Sequence, residues 1–295
     1  MDYYNEIKNK LIDDEVYCKV KDYSKERHRV ITYFEIGKLL NEAGGKYGDN
    51  IIGEYAKKLS IDIGTKYNRR TLFRMKKFYS VFNDKKVSTM WTQLSWSHIR
   101  LLCSMNFNSI NYYVQIVVNK HISVRELDFR IKNKEYERLP DITKNKLINK
   151  EETKVSDFVK NPIIIKNNNN YQIVSEKVLQ GLILENIPSF LKELGSGFTF
   201  IENEYKIKIG NTYNYIDLLL FNYEYNCFVV VELKVTELKK EHVGQIQVYM
   251  NYIDNNLRKV YQDKTIGIII CKEDNQYVIR YSSDDRILSR KYELV

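Results

Sequence analysis

The 295-residue chain contains no apolar run that is long enough to cross a bilayer, since its longest clean runs lie around residues 229–231 and 266–270. Its first residues, MDYYNEIKNK, have no signal-peptide core. The four cysteines lie far apart without a CxxC pair or a nearby histidine, which argues against a zinc site and a disulfide framework. The pair Gly44-Gly45 is not followed by GK[ST], which excludes a phosphate loop. We therefore expect a cytoplasmic protein with reduced thiols.

Basic charge is concentrated in the first half of the chain. Residues 1–150 contain 29 lysine and arginine residues against 18 acidic ones, whereas the remainder contains 18 against 20. A basic half favours a polyanionic partner such as nucleic acid, and the 24 tyrosines offer stacking surfaces. An AT-rich coding bias would also enrich lysine, asparagine and tyrosine, but it does not explain the difference between the halves.

Helical periodicity dominates the first half. The pattern predicts helices over 22–40, ending near Gly44-Gly45, and over the stretches IIGEYAKKLS, TKYNRRTLFRMKKFYSVF, LSWSHIRLLCSM and SVRELDFRIKNKEYERL. No strand-like alternation of any length precedes residue 150. We therefore predict an all-helical domain over 1–139, followed by a polar, lysine-rich linker over 140–156.

The second domain, 157–295, mixes helices and strands. A helix is predicted over SEKVLQGLILENIPSFLKELG, a hairpin within GFTFIENEYKIKIG, and two strands joined by a polar turn over YIDLLLFNYEYNCFVVVELKV. LKKEHVGQIQVYMNYI predicts a helix, and TIGIIIC and QYVIRYS predict strands. The whole chain is therefore predicted to be α+β, with an all-helical N-terminal domain before an α/β domain built on a mixed central sheet.

One predicted helix, over TKYNRRTLFRMKKFYSVF, carries an apolar stripe and is basic elsewhere. This helix is the first candidate for a nucleic-acid interface, and a solvated helix face explains the same pattern equally well. Its basic residues are Arg69, Arg70, Arg74, Lys76 and Lys77.

Charged residues interrupt two strands that otherwise look like core. Asp217 is the one acid in IDLLLF, and Glu232 and Lys234 alternate in FVVVELKV. A turn between the strands would bring Asp217 and Glu232 together, where a cation would relieve their repulsion. Oxygen ligands of this kind suit Mg²⁺ or Mn²⁺, and Lys234 would position or deprotonate water or stabilise charge on phosphorus. The pattern predicts phosphodiester hydrolysis, and a structural salt bridge is an equal alternative.

These strands and the following GQIQVYMNY resemble the PD-(D/E)XK nuclease superfamily, and more closely the YhcG-like bacterial nucleases with a helical N-terminal domain. YFEIGKLL, NRRTLFRMKKFY, LSWSHIRLL and FLKELGSGF are similar to stretches of that family in the same order, so the resemblance covers about residues 30–282. It implies a restriction-endonuclease-like fold for the second domain. It also implies that Asp217, Glu232 and the Leu233 carbonyl are metal ligands, that Lys234 is catalytic, and that Gln245 belongs to a QxxxY element with Tyr249.

The sequence departs from the family pattern at one position. The superfamily usually takes a further acid from the first helix of the nuclease domain, and Gln180 occupies the position expected to be acidic. Glu176, one turn earlier, is an alternative metal ligand in its place. We therefore expect a Mg²⁺- or Mn²⁺-dependent endodeoxyribonuclease. The alternative is a nuclease fold with weakened catalysis that binds DNA or assists assembly. RNA is an alternative substrate. Cleavage of both strands of a duplex needs two active sites, which a homodimer would supply.

Overall fold

The computed structural model describes residues 2–19, 24–48, 50–85, 87, 89–149, 151–171, 174–282 and 284–295. The chain divides into two compact units, Met1–Tyr136 and Glu137–Val295. Unit 1 is helical and unit 2 combines helices with a six-stranded mixed sheet, so the predicted fold class is confirmed. Within the described ranges, no helix has both the length and the apolar character needed to span a membrane.

In its described part, unit 1 consists mainly of α-helices. The predicted end at Gly44-Gly45 is wrong, because the second helix continues through both glycines to Tyr47, and the first and sixth helices were not predicted. The helices are α1 Tyr3–Lys19, α2 Lys25–Tyr47, α3 Asn50–Asp62, α4 Arg69–Phe82, α5 Trp96–Leu102, α6 Phe107–Lys120 and α7 Val124–Lys132.

The core of unit 1 depends on close approach of α2 and α4. A Cβ atom added at Gly37 of α2 would lie 2.2 Å from the Met75 carbonyl oxygen of α4, so only glycine fits there. The Phe34 ring lies 5.3 Å from Phe78 and 4.6 Å from Trp91, measured between ring centroids. Packed aromatic rings of this kind help to stabilise the contact between the helices.

The segment predicted as a linker, 140–156, is largely folded. It contains helix α8, Asp141–Asn149, and the start of a 3-10 turn, Val155–Phe158. Lys146 Nζ lies 2.9 Å from an Asp157 carboxylate oxygen, and Thr143 donates to the Asp157 carbonyl at 2.8 Å. These contacts make the segment part of unit 2, which a polar composition alone did not reveal.

The sheet of unit 2 has the strand order β1-β6-β5-β4-β3-β2. Strand β3 runs antiparallel to both of its neighbours, β2 and β4. Strands β4, β5 and β6 run parallel to one another. The strands are β1 Ile163–Ile165, β2 Phe198–Ile209, β3 Thr212–Asn222, β4 Cys227–Glu237, β5 Asp263–Glu273 and β6 Ile287–Leu294.

Three local predictions in unit 2 are wrong, and strands β1 and β6 were not predicted. The helix predicted over 175–195 is broken at Asn186 into α9, Glu176–Glu185, and α10, Ile187–Leu194, where Pro188 sits in the first turn of α10. The hairpin predicted within 197–210 is a single strand, β2, and the turn comes later at Gly210-Asn211. The strand predicted at QYVIRYS is helix α12, Gln276–Arg280.

The two faces of the central strands bury different partners. Leu218, Val231 and Leu233 pack with α9 and α10 on one face. Leu219 and Val230 pack with α11, Lys240–Asn256, on the other face. Successive strand residues alternate between the two faces, and helices cover both faces. A polar residue in these strands therefore either contacts a helix or lies at the end of the sheet.

Candidate active site

Asp217 and Glu232 lie opposite one another where β3 and β4 stop pairing. The last ladder pair at this end is Leu218 with Val231, and the next pair along the same register is Asp217 with Glu232. Directly opposite residues of antiparallel strands share a face. The predicted juxtaposition of these two carboxylates is therefore what the register of the strands produces.

Asp217 is held by the backbone of the neighbouring strand. The Leu233 N–H donates to Asp217 Oδ2 at 2.8 Å. Burial raises the pKa of Asp217, although the Leu233 N–H and the Lys234 ammonium both act to lower it. A carboxylate that is fixed by one oxygen and is costly to ionise in this environment is suited to receive a cation.

Glu232 is almost fully buried, with a relative exposure of 1%. Its Oε2 lies 3.4 Å from Lys234 Nζ, and among the described residues its Oε1 has no hydrogen-bond partner. Burial, together with the neighbouring Asp217 charge, raises the pKa of Glu232 to about 8. A buried carboxylate oxygen without a partner is expensive, so this atom marks a place where a ligand would complete the structure.

Lys234 lies between two glutamates. Its Nζ is 3.4 Å from Glu232 Oε2 and 3.7 Å from Glu176 Oε2. Burial opposes the charge on Lys234, but the carboxylates of Glu232, Glu176 and Asp217 outweigh that effect and raise its pKa. The lysine is therefore an ammonium at neutral pH, fit to stabilise negative charge rather than to accept a proton.

Helix α9 contributes two side chains to the site. Ser175 caps the helix by accepting a hydrogen bond from the Val178 N–H at 3.3 Å. One turn on, buried Gln180 donates through Nε2 to the Asp217 carbonyl oxygen at 3.1 Å. The amide thus holds the backbone of Asp217, and Glu176 is the helix carboxylate that reaches the lysine.

Gln245 and Tyr249 contact one another on α11. Gln245 Nε2 donates to the Tyr249 hydroxyl at 3.0 Å. Within the described part of the chain Gln245 makes no hydrogen bond to Lys234, so its predicted site role stays a prediction. His242, at the start of the same helix, is buried, and its Nδ1 accepts from the Lys239 N–H at 3.1 Å.

Glu204 is a neighbour of the site that the sequence did not indicate. Asn203 and Tyr205 of β2 pair with Leu218 and Ile216 of β3, which leaves Glu204 opposite Asp217. Glu204 has a φ of 51°, in the left-handed region that glycine favours. Its position depends on register and on an irregular backbone, and neither feature leaves a signal in an ordinary polar stretch such as IENEY.

The described residues contain no group of three or more histidine, cysteine, aspartate or glutamate side chains arranged to hold a metal ion. Asp217 and Glu232 are the two carboxylates placed together, and the unpartnered Glu232 Oε1 is a suitable donor to a divalent cation. The Leu233 carbonyl, predicted as a further ligand, stays a prediction.

The basic helix of unit 1 is α4. Its apolar stripe is buried, and Arg69, Arg70 and Lys77 are exposed, while Arg74 and Lys76 are half-buried. In the part of unit 1 that the structure describes, Arg69, Arg70 and Arg74 make no ion pair with a carboxylate. Burial, and then the charges of Arg70 and Arg100, lower the pKa of Arg74. Arg100 of α5 therefore extends the basic surface beyond the residues that the sequence indicated.

Family models match both units of the chain. Residues 156–294 match the YhcG PDDEXK nuclease domain, and residues 19–138 match the DUF1016 N-terminal domain. YhcG of Escherichia coli (strain K12) is 22% identical over 312 residues, which cover 89% of this chain and 82% of that protein. The resemblance inferred from the sequence motifs is therefore confirmed.

Two solved structures share a smaller part of the chain. A repair endonuclease from Pyrococcus abyssi is 20% identical, with 43% of this chain and 49% of that chain covered and a TM-score of 0.29. An EndoMS-dsDNA2 complex is 20% identical, with 44% and 48% covered and a TM-score of 0.30. The chain thus spans about half the length of these structures.

Proposed function

Because the chain joins a DUF1016 N-terminal domain to a YhcG PDDEXK nuclease domain, we propose that it hydrolyses DNA phosphodiester bonds with a divalent metal ion, Mg²⁺ or Mn²⁺. Asp217 and Glu232 would hold the metal, with the Leu233 carbonyl and Glu176 as further ligands. Gln245 completes the proposed set of site residues.

One observation carries this proposal. Asp217 and Glu232 face one another beyond the last β3–β4 pair, and Glu232 Oε1 is buried without a partner among the described residues. Two carboxylates so placed repel each other unless one is protonated or a cation lies between them. Hard oxygen donors with room for water and phosphate oxygens are typical of Mg²⁺ sites.

A bound divalent ion would supply Lewis-acid stabilisation of a phosphoryl oxygen and activation of water. The residues of the chain supply position and charge. The Lys234 ammonium, kept protonated by Glu232, Glu176 and Asp217, is placed to stabilise negative charge that builds on the phosphoryl oxygens. Gln180 and the Leu233 N–H keep Asp217 in place through its carbonyl and its carboxylate respectively.

In unit 1, we propose that α4 binds the nucleic-acid backbone. Its exposed arginines Arg69 and Arg70, with Arg74, lack neutralising carboxylates among the described residues, so phosphates are suitable counter-charges. Lys76 and Lys77 belong to the same proposed surface. Charge reversal at Arg70 and Arg74 should weaken DNA binding and flatten its dependence on salt, and unchanged binding would remove α4 from the interface.

The catalytic proposal is tested by nicking of supercoiled plasmid in Mg²⁺ or Mn²⁺, with chelator as the blank. Glu232→Gln and Lys234→Ala should each lower the nicking rate by about 100-fold or more, because the first removes a proposed metal ligand and the second removes a cation placed to stabilise charge in the transition state. Asp263→Asn and Lys259→Ala are matched controls, because Asp263 begins β5 at the opposite end of the sheet and Lys259 lies just before it.

The outcomes separate the alternatives. Wild-type protein that binds DNA but never nicks it would favour the DNA-binding or assembly role instead. Equal nicking by wild type and both site variants would refute the residue assignment. RNA of the same sequence, assayed in parallel, identifies the sugar preference, and sedimentation with and without duplex DNA tests whether two copies of the chain cooperate.

A further inference from the structure

Strands β2 and β3 extend past the rest of the sheet as a two-stranded arm. From Tyr205 paired with Ile216 to Ile209 paired with Thr212, these strands pair only with each other in the described part of the sheet. The pairing of β3 with β4 ends at Leu218. The arm, residues 205–216, therefore begins beside Asp217 and ends at the Gly210-Asn211 turn.

The two faces of the arm differ in character. Ile207 and Ile216 are buried in the cluster that includes Val243 and Ile246 of α11. The opposite face is exposed and pairs Lys206 with Tyr215 and Lys208 with Tyr213 across the two strands. The tyrosines have relative exposures of 53% and 52%, which is high for large aromatic residues.

The exposed face is positively charged and aromatic. Residues 206–215 contain no aspartate or glutamate, and neither lysine forms an ion pair within the described ranges. Lys206 Nζ lies 4.0 Å from the centroid of the Tyr213 ring. Lysines are common on edge strands as protection against aggregation, but exposed tyrosine rings between them serve no such purpose.

We propose that this exposed face of the arm binds one strand of nucleic acid as it leaves the cleavage site. Lys206 and Lys208 contact phosphates, and Tyr213 and Tyr215 stack on bases, which is how proteins track single strands without reading their sequence. This inference rests on the proposed nuclease function, since it assigns the strand to the same substrate.

The placement of the arm supports this assignment. Tyr215 and Tyr213 are two and four residues from Asp217 along β3, or about 7 Å and about 14 Å at the rise of an extended strand. At each of these two positions a tyrosine of β3 is paired with a lysine of β2. A strand held at Asp217 and Glu232 would therefore meet successive pairs of lysine and tyrosine.

The test measures binding in chelator, where cleavage is blocked, by fluorescence anisotropy of a single-stranded oligonucleotide and of a duplex with a single-stranded tail. Lys206→Gln with Lys208→Gln should reduce the slope of log K against log salt by about 0.7 for each phosphate that is no longer neutralised by a lysine. Tyr213→Ala and Tyr215→Ala should each weaken binding about fivefold or more with little change in slope.

Matched controls come from the opposite end of the same sheet. Lys259 and Tyr261 are exposed there, and Lys259→Gln and Tyr261→Ala should leave affinity and slope unchanged. Circular dichroism melts check that the arm variants fold as wild type does.

Unchanged affinity and slope in all three arm variants would overturn the proposal, as would equal losses in the two control variants. The result is independent of catalysis. Weakened binding in a protein that never nicks plasmid would support the arm and refute the nuclease function. Active nicking with unaltered binding by the arm variants would do the reverse.

Discussion

Two buried carboxylates of unit 2 lie in different environments. Glu193 of α10 accepts from Arg138 and from the Ile164 N–H, and its second oxygen is 3.8 Å from Lys160. Glu232 of β4 has one lysine at 3.4 Å and one oxygen without a partner among the described residues. Both side chains are buried, so burial alone does not distinguish a structural acid from a functional one.

The two carboxylates differ in how completely neighbouring groups neutralise their charge. The charge of Glu193 is matched by two basic groups and a backbone donor, which offsets the cost of taking a carboxylate out of water. The charge of Glu232 is incompletely matched, and burial raises its pKa to about 8. An acid that is costly to ionise and lies beside another acid is typical of a ligand site, which supports the proposed role of Glu232 in metal binding.

The largest expected effect on stability comes from Glu193→Gln. It removes the anion that half-buried Arg138 and buried Lys160 share, so unit 2 should lose about 3–5 kcal/mol of unfolding free energy. Hydrogen exchange of β1 and α10 peptides, together with urea unfolding followed by circular dichroism, measures the loss.

Glu232→Gln is the matched variant for this comparison. In metal-free protein it removes a poorly compensated charge, so its stability should equal or exceed that of wild type, by hydrogen exchange of β3 and β4. Equal losses in the two variants would show that both acids are structural and would end the distinction drawn above.

A second prediction concerns pH. The folded-state pKa of Glu232, about 8, lies above its usual value of 4.5, so between these values the folded protein keeps a proton that the unfolded chain releases. Below about pH 4.5, Glu232 should therefore not lower the unfolding free energy of the metal-free protein. The unfolding free energy should fall as pH rises toward 8, by at most about 1.4 kcal/mol per pH unit for one proton.

The same variants check the source of that slope. Glu232→Gln should flatten the decline of unfolding free energy between pH 5 and pH 8, and Glu193→Gln should keep it while lowering stability throughout. A slope of wild-type size in Glu232→Gln would place the responsible proton on another group.

The juxtaposition of Asp217 and Glu232 could be predicted because each interrupts an apolar strand. Asp217 in IDLLLF and Glu232 in FVVVELKV need partners wherever such strands are buried, and the polar turn between the strands predicts an antiparallel pair. The role of Gln180 was not accessible, since its bond to the Asp217 carbonyl depends on how α9 packs against the sheet. The Glu193 cluster was also hidden, because Arg138, Lys160 and Glu193 are distant in sequence.

Several elements with strong periodicity or dense apolar runs were predicted, while short or charged segments were misread. α4 and α11 carry long apolar stripes, and β3, β4 and β5 carry dense apolar runs. QYVIRYS alternates over only a few residues, which a short helix such as α12 also permits. In β6 the apolar residues are fewer and charged residues occupy its exposed positions, so packing beside β5 rather than the local pattern makes it a strand.

The smallest expected effect concerns the N-terminal caps of helices α9 and α10. Ser175 caps α9, which places Glu176 and Gln180 at the site, while Asn186 caps α10, which carries Glu193, by accepting from the Ser189 N–H at 3.2 Å. Ser175→Ala and Asn186→Ala should each cost about 1 kcal/mol of stability, because each leaves helix N–H groups without a partner.

Only the first of these variants should also slow nicking, since fraying of the first turn of α9 moves the carboxylate that faces Lys234. Ser175→Thr should restore both stability and rate, because threonine retains the capping oxygen. If Asn186→Ala slows nicking as much as Ser175→Ala does, the site depends on general stability of unit 2. If Ser175→Ala alone does so, the first turn of α9 is part of the catalytic arrangement, and its loss lowers the nicking rate beyond what the loss of stability explains.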